Sequence, residues 1–359
     1  MCACLQRCYM YDTIEALFTP VYKPYYPYCM EQFDFIAIGD TVTDAFIRIN
    51  HASVFFDEKD KEEKICLTNG SKIPFESATI VPAVGNSANA AVSAARLGLR
   101  SALVTDLGDD IYGKEDIETL KRNGVEGDFI TVHPGKVSNY HYVLWHKAER
   151  TILIKHEEYD YKLPNLGEPK WIYFSSVGEN SMDYHHAIAT YCEEHPNVKL
   201  AFQPGTFQIK LGYEKLKDLY AQTEVFFCNV EEARLILGDD DSSPEELAQK
   251  MRALGPNIAV ITDGPKGAYA AEEGGVWFMP PYPDPAPPYE RTGAGDSFSS
   301  TFTSALVLGK PVSEALMWGP INSMSVVQGI GAQEGLLTRE KLEEYLADRP
   351  ADYEPKKIV

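Results

Sequence analysis

The sequence predicts an α/β fold built on a doubly wound, mostly parallel β-sheet with helices on both faces. From residue 170 onward, short apolar strands alternate with helical stretches, and such alternation produces a parallel sheet covered by helices. These strands are predicted at residues 171–174, 199–202, 225–228 and 258–261. The 359 residues are also 44% hydrophobic, which is enough for a substantial core.

Composition excludes several classes of protein. The formal net charge is −20 at pH 7, which argues against nucleic acid or an anionic membrane surface as a partner. No apolar run approaches the roughly 18–20 residues of a membrane span. Seven cysteines over this length do not form a disulfide framework, and Cys66, Cys192 and Cys228 are predicted to be buried thiols of a cytoplasmic protein.

Residues 1–30 differ from the rest of the chain. They contain four of the seven cysteines and a Tyr/Pro-rich run. They lack a basic region followed by an apolar segment, so they do not match a signal peptide. We expect a poorly ordered extension before the first core strand at residues 33–39. A zinc site is the less favoured alternative, because the cysteine spacing does not match a standard zinc motif.

The first predicted strand ends at Gly39, and Asp44 follows shortly after it. A carboxylate just past the end of a parallel strand lies where open α/β sheets bind ligands, although a turn residue that caps the strand would look the same. Residues 41–80 and 137–156 contain β-like stretches around charged turns. Within the first of these regions, Asn69-Gly70 is a hairpin signal.

The next candidate residues lie at the N-termini of predicted helices. Gly85 and Asn89 lie in the first turns of an alanine-rich helix that ends at Gly98. Asn229 and Glu232 follow a predicted strand and are one helical turn apart. They suit the N-cap and capping-box positions of a helix, and they equally suit a site that holds the waters of a hydrated Mg²⁺.

The most informative stretch lies late in the chain, at residues 291–309. Gly293, Ala294 and Gly295 form a small-residue loop, Asp296 follows, and apolar residues at helical spacing come next. Such a loop at a helix N-terminus presents backbone N–H groups to an anion. A carboxylate there weakens simple phosphate binding, but it suits a base that takes a proton from an attacking hydroxyl. The plainer alternative is an N-cap aspartate.

This stretch resembles the Thr-Gly-Ala-Gly-Asp motif of the ribokinase-like (PfkB) carbohydrate and nucleoside kinases, and the resemblance extends over residues 33–346. It implies one kinase domain at residues 31–346, with a small β-lid from about 41–80 and 137–156. We expect residues 347–359 to be a loose C-terminal tail. Two departures from the family pattern are Arg291, where Asp is usual, and Val84, where Gly is usual.

The resemblance also implies roles for individual residues. The anion hole would consist of Gly293, Ala294 and Gly295, and the catalytic base would be Asp296. Substrate contacts are implied for Asp44, Gly85 and Asn89. Contacts with ATP and Mg²⁺ are implied for Asn229, Glu232, Thr262, Gly264, Gly267 and Asn322. A monovalent-cation site, for K⁺, is implied at Glu290, Thr292, Gly331 and Gly335.

The implied activity is ATP-dependent phosphorylation of a hydroxyl group on a sugar or nucleoside, with Mg²⁺ and the loop amides stabilising the γ-phosphoryl group. Two alternatives stay open. One is a kinase of the same family for a sugar phosphate or a pyridoxal-like vitamer, and the other is a catalytically silent sugar- or nucleotide-binding protein of the same fold. The expected partners are a small-molecule substrate and a second copy of the chain, joined through the lid.

Overall fold

Strands and helices alternate along the chain. The computed structural model describes residues 32–59, 62–147 and 149–359, and the predicted extension at residues 1–30 lies outside them. In chain order the elements are β1 (Phe35–Ile38), β2 (Val42–Arg48), β3 (Ser53–Asp57), β4 (Glu62–Cys66), β5 (Ser77–Val84), α1 (Asn86–Arg96), β6 (Ser101–Gly108), α2 (Ile111–Arg122), β7 (Ile130–His133), β8 (Asn139–His146), β9 (Glu149–Leu153), β10 (Trp171–Phe174), α3 (Met182–Glu194), β11 (Lys199–Phe202), α4 (Thr206–Leu211), α5 (Tyr213–Gln222), β12 (Thr223–Asn229), α6 (Val230–Leu237), α7 (Pro244–Ala253), β13 (Ile258–Thr262), β14 (Ala268–Glu272), β15 (Gly275–Met279), α8 (Ala294–Val307), α9 (Val312–Val326), α10 (Arg339–Ala347) and β16 (Lys356–Lys357).

A ten-stranded sheet forms the centre of the described structure, in the order β16-β15-β14-β13-β12-β11-β10-β1-β6-β7. Neighbours from β13 to β7 are parallel, whereas β14, β15 and β16 are added antiparallel. Side chains of β1 alternate between the two faces: Phe35 and Ala37 pack with α1, α8 and α9, and Ile36 and Ile38 pack with α3, α5 and α7. The predicted fold class is therefore confirmed.

A second sheet, β5-β2-β8-β9, lies apart from the first and is called the lid sheet below. Strand β2 is antiparallel to β5 and parallel to β8. Strands β3 and β4 pair with each other in a separate hairpin. The turn at Asn69-Gly70 lies between β4 and β5, and a hairpin there would require these two strands to pair. Instead, β4 pairs with β3 and β5 pairs with β2, so the predicted hairpin is wrong.

The C-terminal residues are anchored to the domain. Tyr353 is buried, and its hydroxyl donates to the carbonyl of Met317 at 2.6 Å. Strand β16 adds to the edge of the central sheet beside β15. The expectation of a loose tail at residues 347–359 is therefore wrong, because a two-residue edge strand has no periodic pattern that the sequence could reveal.

The described cysteines are free, and their surroundings differ. Cys192 and Cys228 are buried as predicted, whereas Cys66 is exposed at the end of β4, contrary to the prediction. Burial raises the pKa of the Cys192 thiol to about 12, so this thiol stays protonated and unreactive. Among the helices of the described residues, none has the length and apolarity needed to cross a membrane.

Candidate active site

Two clefts open at the carboxyl ends of the parallel strands, where open α/β sheets bind ligands. The first has a volume of about 740 Å³ and is lined by residues that follow β1, β10 and β11, including Asp40, Ser176 and Gln203. The second has a volume of about 790 Å³ and is lined by residues at the ends of β12 and β13, including Asn229 and Thr262. The N-terminus of α8 lies beside both clefts.

Helix α8 begins at Gly293, which has a φ of +79°. A Cβ atom there would lie 2.3 Å from Cβ of Ala332, so both conformation and space require glycine. Within the described residues, no side chain caps this helix end. The N–H of Ala294 donates to the carbonyl of Arg291 at 3.4 Å, and the next N–H groups of the first turn have no intrahelical acceptor and can face an anion. Ala294, Gly295 and Arg291 line the second cleft, so the positive end of the helix dipole and a guanidinium face it.

Asp296 lies in the first turn of α8 but is not its N-cap, so the plainer interpretation of this residue is wrong. Its carboxylate is held by three side-chain amides. The amides of Asn86 and Asn89 donate to it at 2.9 and 2.8 Å, and the amide of Gln203 donates at 3.1 Å. Asn86 and Gln203 line the first cleft, whereas Gly295 lines the second. Asp296 therefore stands at the junction of the two clefts.

The surroundings of Asp296 adjust its basicity. Burial raises the pKa of the carboxyl group, and the hydrogen bonds from Asn89, Gln203 and Asn86 act in the opposite direction. Three amide donors hold the carboxylate in one orientation, and the raised pKa makes it a stronger base than an exposed aspartate. The group can accept a proton from a hydroxyl in the first cleft.

Gly85 and Asn89 lie at the start of α1, and Asn89 contacts Asp296. Gly85 is the N-cap of α1 with a φ of +107°, and a Cβ there would lie 2.8 Å from a main-chain oxygen of the β1–β2 connection. Val84, which replaces the family's glycine, is buried at the end of β5. The amide of Asn89 donates to Asp296 and accepts from Gln333 at 3.0 Å. Asn89 therefore orients the carboxylate.

Asp44 lies within β2, not in a turn after β1. Its carboxylate is buried and lies 3.3 Å from Nδ1 of His141, the facing residue of β8. Among the described residues, Oδ1 of Asp44 and Nε2 of His141 are buried without a hydrogen-bond partner. Such atoms are costly unless a ligand or water satisfies them. His141 lines the first cleft, so a ligand there can satisfy its ring nitrogen.

Sequence reasoning missed several residues of the first cleft. Asp40 accepts hydrogen bonds from the hydroxyl of Tyr161 at 2.9 Å and the ring of His156 at 3.0 Å. The rings of His156 and His141 lie 5.2 Å apart. Asp40 directly follows a strand, a signal that could have identified it. The other side chains come from the lid sheet and the segment after it, which only the tertiary structure brings to this cleft.

Asn229 and Glu232 form a capping box at the start of α6. Oδ1 of Asn229 accepts from the Glu232 N–H at 2.8 Å, and Oε2 of Glu232 accepts from the Asn229 N–H at 2.9 Å. Burial raises the pKa of Glu232, and the hydrogen bond from the Asn229 N–H lowers this pKa. The charge of Asp296 raises the pKa further. Asn229 lines the second cleft and Glu232 the first, so the pair borders the junction.

The other walls of the second cleft come from the turn after β13 and from two helices. Thr262 and the 3₁₀ turn Gly264–Lys266 line the cleft with Gly267. At Gly267 a Cβ would lie 2.4 Å from the carbonyl oxygen of Met279, so strand packing by itself requires this glycine. An apolar wall that suits a flat aromatic ring is formed by Phe298, Pro320, Met324 and Val327.

Asn322 does not line the second cleft, contrary to the prediction. Its side chain is fully buried, with Nδ2 donating to Thr301 at 2.7 Å and Oδ1 accepting from the Leu337 N–H at 2.9 Å. Both ends of the amide join α9 to α8 and to the segment before α10. The sequence placed Asn322 on a helix, but helix periodicity among small residues did not show which face it occupies.

Three of the four residues predicted for a monovalent cation come together. Buried Glu290 accepts from the N–H groups of Thr292 at 2.6 Å and Gly331 at 3.0 Å. Arg150 of β9 forms an ion pair with Glu290 and donates to the hydroxyl of Thr292. The carbonyl of Gly335 already accepts from a serine hydroxyl of α9 at 2.7 Å.

Known proteins provide an independent comparison. The model of the pfkB family of carbohydrate kinases matches residues 60–339. A ribokinase of Bacillus subtilis is 29% identical over 272 residues, covering 73% of this chain and 87% of that protein. A 5-dehydro-2-deoxygluconokinase of Geobacillus thermodenitrificans is 26% identical over 296 residues, covering 76% and 86%. The structure of Arabidopsis thaliana ribokinase complexed with ribose and ATP matches with a TM-score of 0.72 at 18% identity, covering 88% of this chain and 99% of that one.

The chain belongs to the pfkB family of carbohydrate kinases, since the family model spans most of its length. The resemblance of the Gly-Ala-Gly-Asp stretch is thereby confirmed, and the solved ribokinase shows the same fold. The protein is a phosphotransferase that acts on a hydroxyl group and, in general terms, an ATP-dependent sugar kinase.

Proposed function

We propose that this protein transfers the γ-phosphoryl group of ATP to a hydroxyl group of an uncharged sugar. The observation that supports this most is the position of Asp296 between the two clefts. The donors Asn86 and Gln203 hold its carboxylate from the first cleft, and the open N–H groups of α8 lie beside the second. A proton acceptor next to an anion-binding helix end supplies the two functions that phosphoryl transfer to a hydroxyl needs.

In this proposal the sugar occupies the first cleft and ATP the second. Asp296 accepts the proton of the attacking hydroxyl, and Asn89 orients the carboxylate. The anion hole is formed by the N–H groups of residues 293–295. The residues proposed to border the sugar are Asp44, Gly85 and His141. Those proposed to border the nucleotide are Asn229, Thr262, Gly264 and Gly267.

Mg²⁺ is proposed from the two neighbouring carboxylates. Burial raises the pKa of Glu232, and the charge of Asp296 raises it further, so a cation near both groups would be stabilised. Over residues 32–359, as far as they are described, no cluster of three His, Cys, Asp or Glu side chains could hold a metal by itself. This donor set fits Mg²⁺, which commonly binds through substrate phosphates, waters and one or two carboxylates. The bound ion would neutralise charge on the phosphates.

The charges of the first cleft favour an uncharged substrate. Lys210 lines this cleft with a positive charge. Acidic side chains outnumber it in the lining: Asp40, Glu157, Glu158, Glu179 and Glu232. A sugar acid or sugar phosphate would add negative charge to this set and be repelled, whereas the hydroxyls of a neutral sugar can donate to carboxylates. Of the relatives above, the ribokinase is therefore a better guide to the substrate than the gluconokinase.

A substrate screen tests the proposed function. ADP release is measured with ATP, Mg²⁺ and neutral pentoses and hexoses, nucleosides, sugar acids, sugar phosphates and a pyridoxal-like vitamer. We expect turnover with a neutral sugar, and kcat/KM about fivefold lower for a charged analogue, since one unfavourable charge contact costs on the order of 1 kcal/mol. Turnover confined to acids or phosphates would overturn the charge argument. Sugar binding without ADP release would support the silent binding protein.

Asp44→Ala is expected to raise KM for the sugar far more than KM for ATP. Loss of a hydrogen bond to a charged group costs about 1.5–3 kcal/mol. The matched control is Asp106→Ala, which removes another Asp–His pair, Asp106–His133. Neither of these two residues is among those that line the first cleft. Both KM values are measured for each variant with the accepted sugar. A rise in KM for ATP alone would show that the two clefts are assigned in reverse.

The lid sheet is also proposed as the surface through which two copies associate. Ile80 and Tyr142 both face Ala45, and Leu153 faces Tyr142, so the four share one face. Ile80, Tyr142 and Leu153 are 58%, 49% and 51% exposed, with buried Ala45 between Ile80 and Tyr142, and exposed apolar side chains grouped on one face mark an association surface. Ile80→Asp should convert dimer to monomer in sedimentation velocity, whereas Val132→Asp on β7 should not. A monomeric wild type, or an unaffected Ile80→Asp dimer, would rule this surface out.

A further inference from the structure

Glu290 is a buried carboxylate just before the anion loop. The main-chain N–H groups of Thr292 and Gly331 each donate to one of its oxygens. Two amide hydrogen bonds reduce the cost of burying this charge, but a buried carboxylate is far more stable with a positive charge beside it. The family resemblance implied a monovalent cation at this place.

Arg150 supplies that positive charge. Its guanidinium pairs with Glu290 and donates to the hydroxyl of Thr292, and its side chain is only 18% exposed. A guanidinium carries five donors and remains charged in proteins. A K⁺ ion beside Glu290 would need this carboxylate and the hydroxyl of Thr292 as oxygen ligands, and the guanidinium of Arg150 already contacts both. The residues present therefore do not fit a monovalent cation.

Arg150 also joins the lid sheet to the chain that leads into the anion loop. It lies on β9 opposite Trp145, on the same face of the lid sheet. The ring of Trp145 meets Tyr289, the residue before Glu290, edge-on with ring centroids 5.4 Å apart. The lid sheet thus contacts residues 289–292 through both Trp145 and Arg150, immediately before the loop at Gly293–Asp296.

We infer that Arg150 takes the place of the monovalent cation and couples the position of the lid sheet to the geometry of the anion loop. Arg150 is a positioning residue: it acts on the loop through Glu290 and Thr292 and does not contact the reacting groups. Two consequences follow. The protein needs no K⁺, and the loop is fully ordered for phosphoryl transfer only while the lid sheet presents Arg150. The inference rests on the proposed kinase function.

The test compares wild type, Arg150→Met and Arg48→Met in KCl and in choline chloride of equal ionic strength. Wild type should show the same kcat and the same Tm in both salts. Arg150→Met should lose about 10²-fold in kcat in choline chloride, because a small misplacement of reacting groups costs that much. KCl should restore part of its kcat and raise its Tm, since K⁺ can then enter beside Glu290. Arg48→Met is the control, because Arg48 lies 4.8 Å over Trp145 on the same face.

Several outcomes would overturn the inference. One is activation or stabilisation of the wild type by KCl, and another is an Arg150→Met variant that behaves like Arg48→Met. The Tm values require no substrate, so they are informative even if the proposed function fails. If Arg150→Met does not fold, the double variant Arg150→Met/Glu290→Gln leaves no unpaired buried charge. It should fold with a low kcat that KCl does not restore, and a normal kcat in this variant would contradict the coupling.

Discussion

Asp296→Asn is expected to lower kcat with the accepted sugar by about 10²–10⁴-fold, the usual loss when a general base is removed. The amide keeps the size of the side chain but cannot accept the proton of the attacking hydroxyl. Affinity for ATP should hold or increase, because a negative charge near the γ-phosphate is removed. The free energy of unfolding should decrease by about 1 kcal/mol, because one of the amide donors to the carboxylate loses its acceptor.

The measurement is steady-state kcat alongside ATP affinity from calorimetry. Asp284→Asn is the matched control: Asp284 lines the second cleft, and burial raises the pKa of its carboxyl group as it does for Asp296, but Asp284 is not among the residues that line the first cleft. Its variant should keep a kcat near the wild-type value. Near-normal turnover in Asp296→Asn would exclude Asp296 as the base.

The wild-type pH–rate profile gives a second check on Asp296. The base must be unprotonated to act, so kcat falls as pH decreases through its pKa. Because burial raises the pKa of Asp296, the acid limb should lie above the usual range of an aspartate. Asp296→Asn should lose this limb together with most of its activity.

Gly295→Ala is expected to lower kcat by about 10²-fold while leaving the folded structure intact. Among the described residues, no atom outside the neighbouring residues and the backbone of its own helix lies within 4 Å of a Cβ built at Gly295, so the methyl group would project into the space proposed for the phosphoryl group. Loss of one preorganised N–H contact to a developing charge costs about 10²–10³-fold. Tm should hold or rise slightly, since alanine favours a helix more than glycine does.

Gly293→Ala is the matched comparison for the same loop. There the Cβ would lie 2.3 Å from that of Ala332, and the φ is +79°, so the folded state itself is strained and Tm should fall. Thermal melting without ligand, followed by kcat, separates the two glycines. If Gly295→Ala kept normal turnover, the loop would not bind the transferred group.

The local sequence pattern was sufficient to predict the fold class and the position of the Gly293–Asp296 stretch. The alternation of apolar strands with helices depends on the period of each element, which the sequence displays directly. The same holds for Gly293–Asp296 at the start of α8 and for the capping box of Asn229 and Glu232, since each needs only neighbours in the chain. The family comparison then confirmed the resemblance that these motifs carried.

Contacts between distant segments were decided only by the tertiary structure. Asp296 is held by amides more than 90 residues away, and Arg150 reaches Glu290 across 140 positions of the chain. Asn322, assigned to the nucleotide from the family resemblance, faces α8 and the segment before α10 instead. Spacing along the chain sets the period of a helix or strand, but the face that meets a ligand depends on how separate elements pack. For that reason the sequence by itself determined the class of protein and the position of the Gly293–Asp296 loop, whereas the packing of distant segments decided which groups surround that loop.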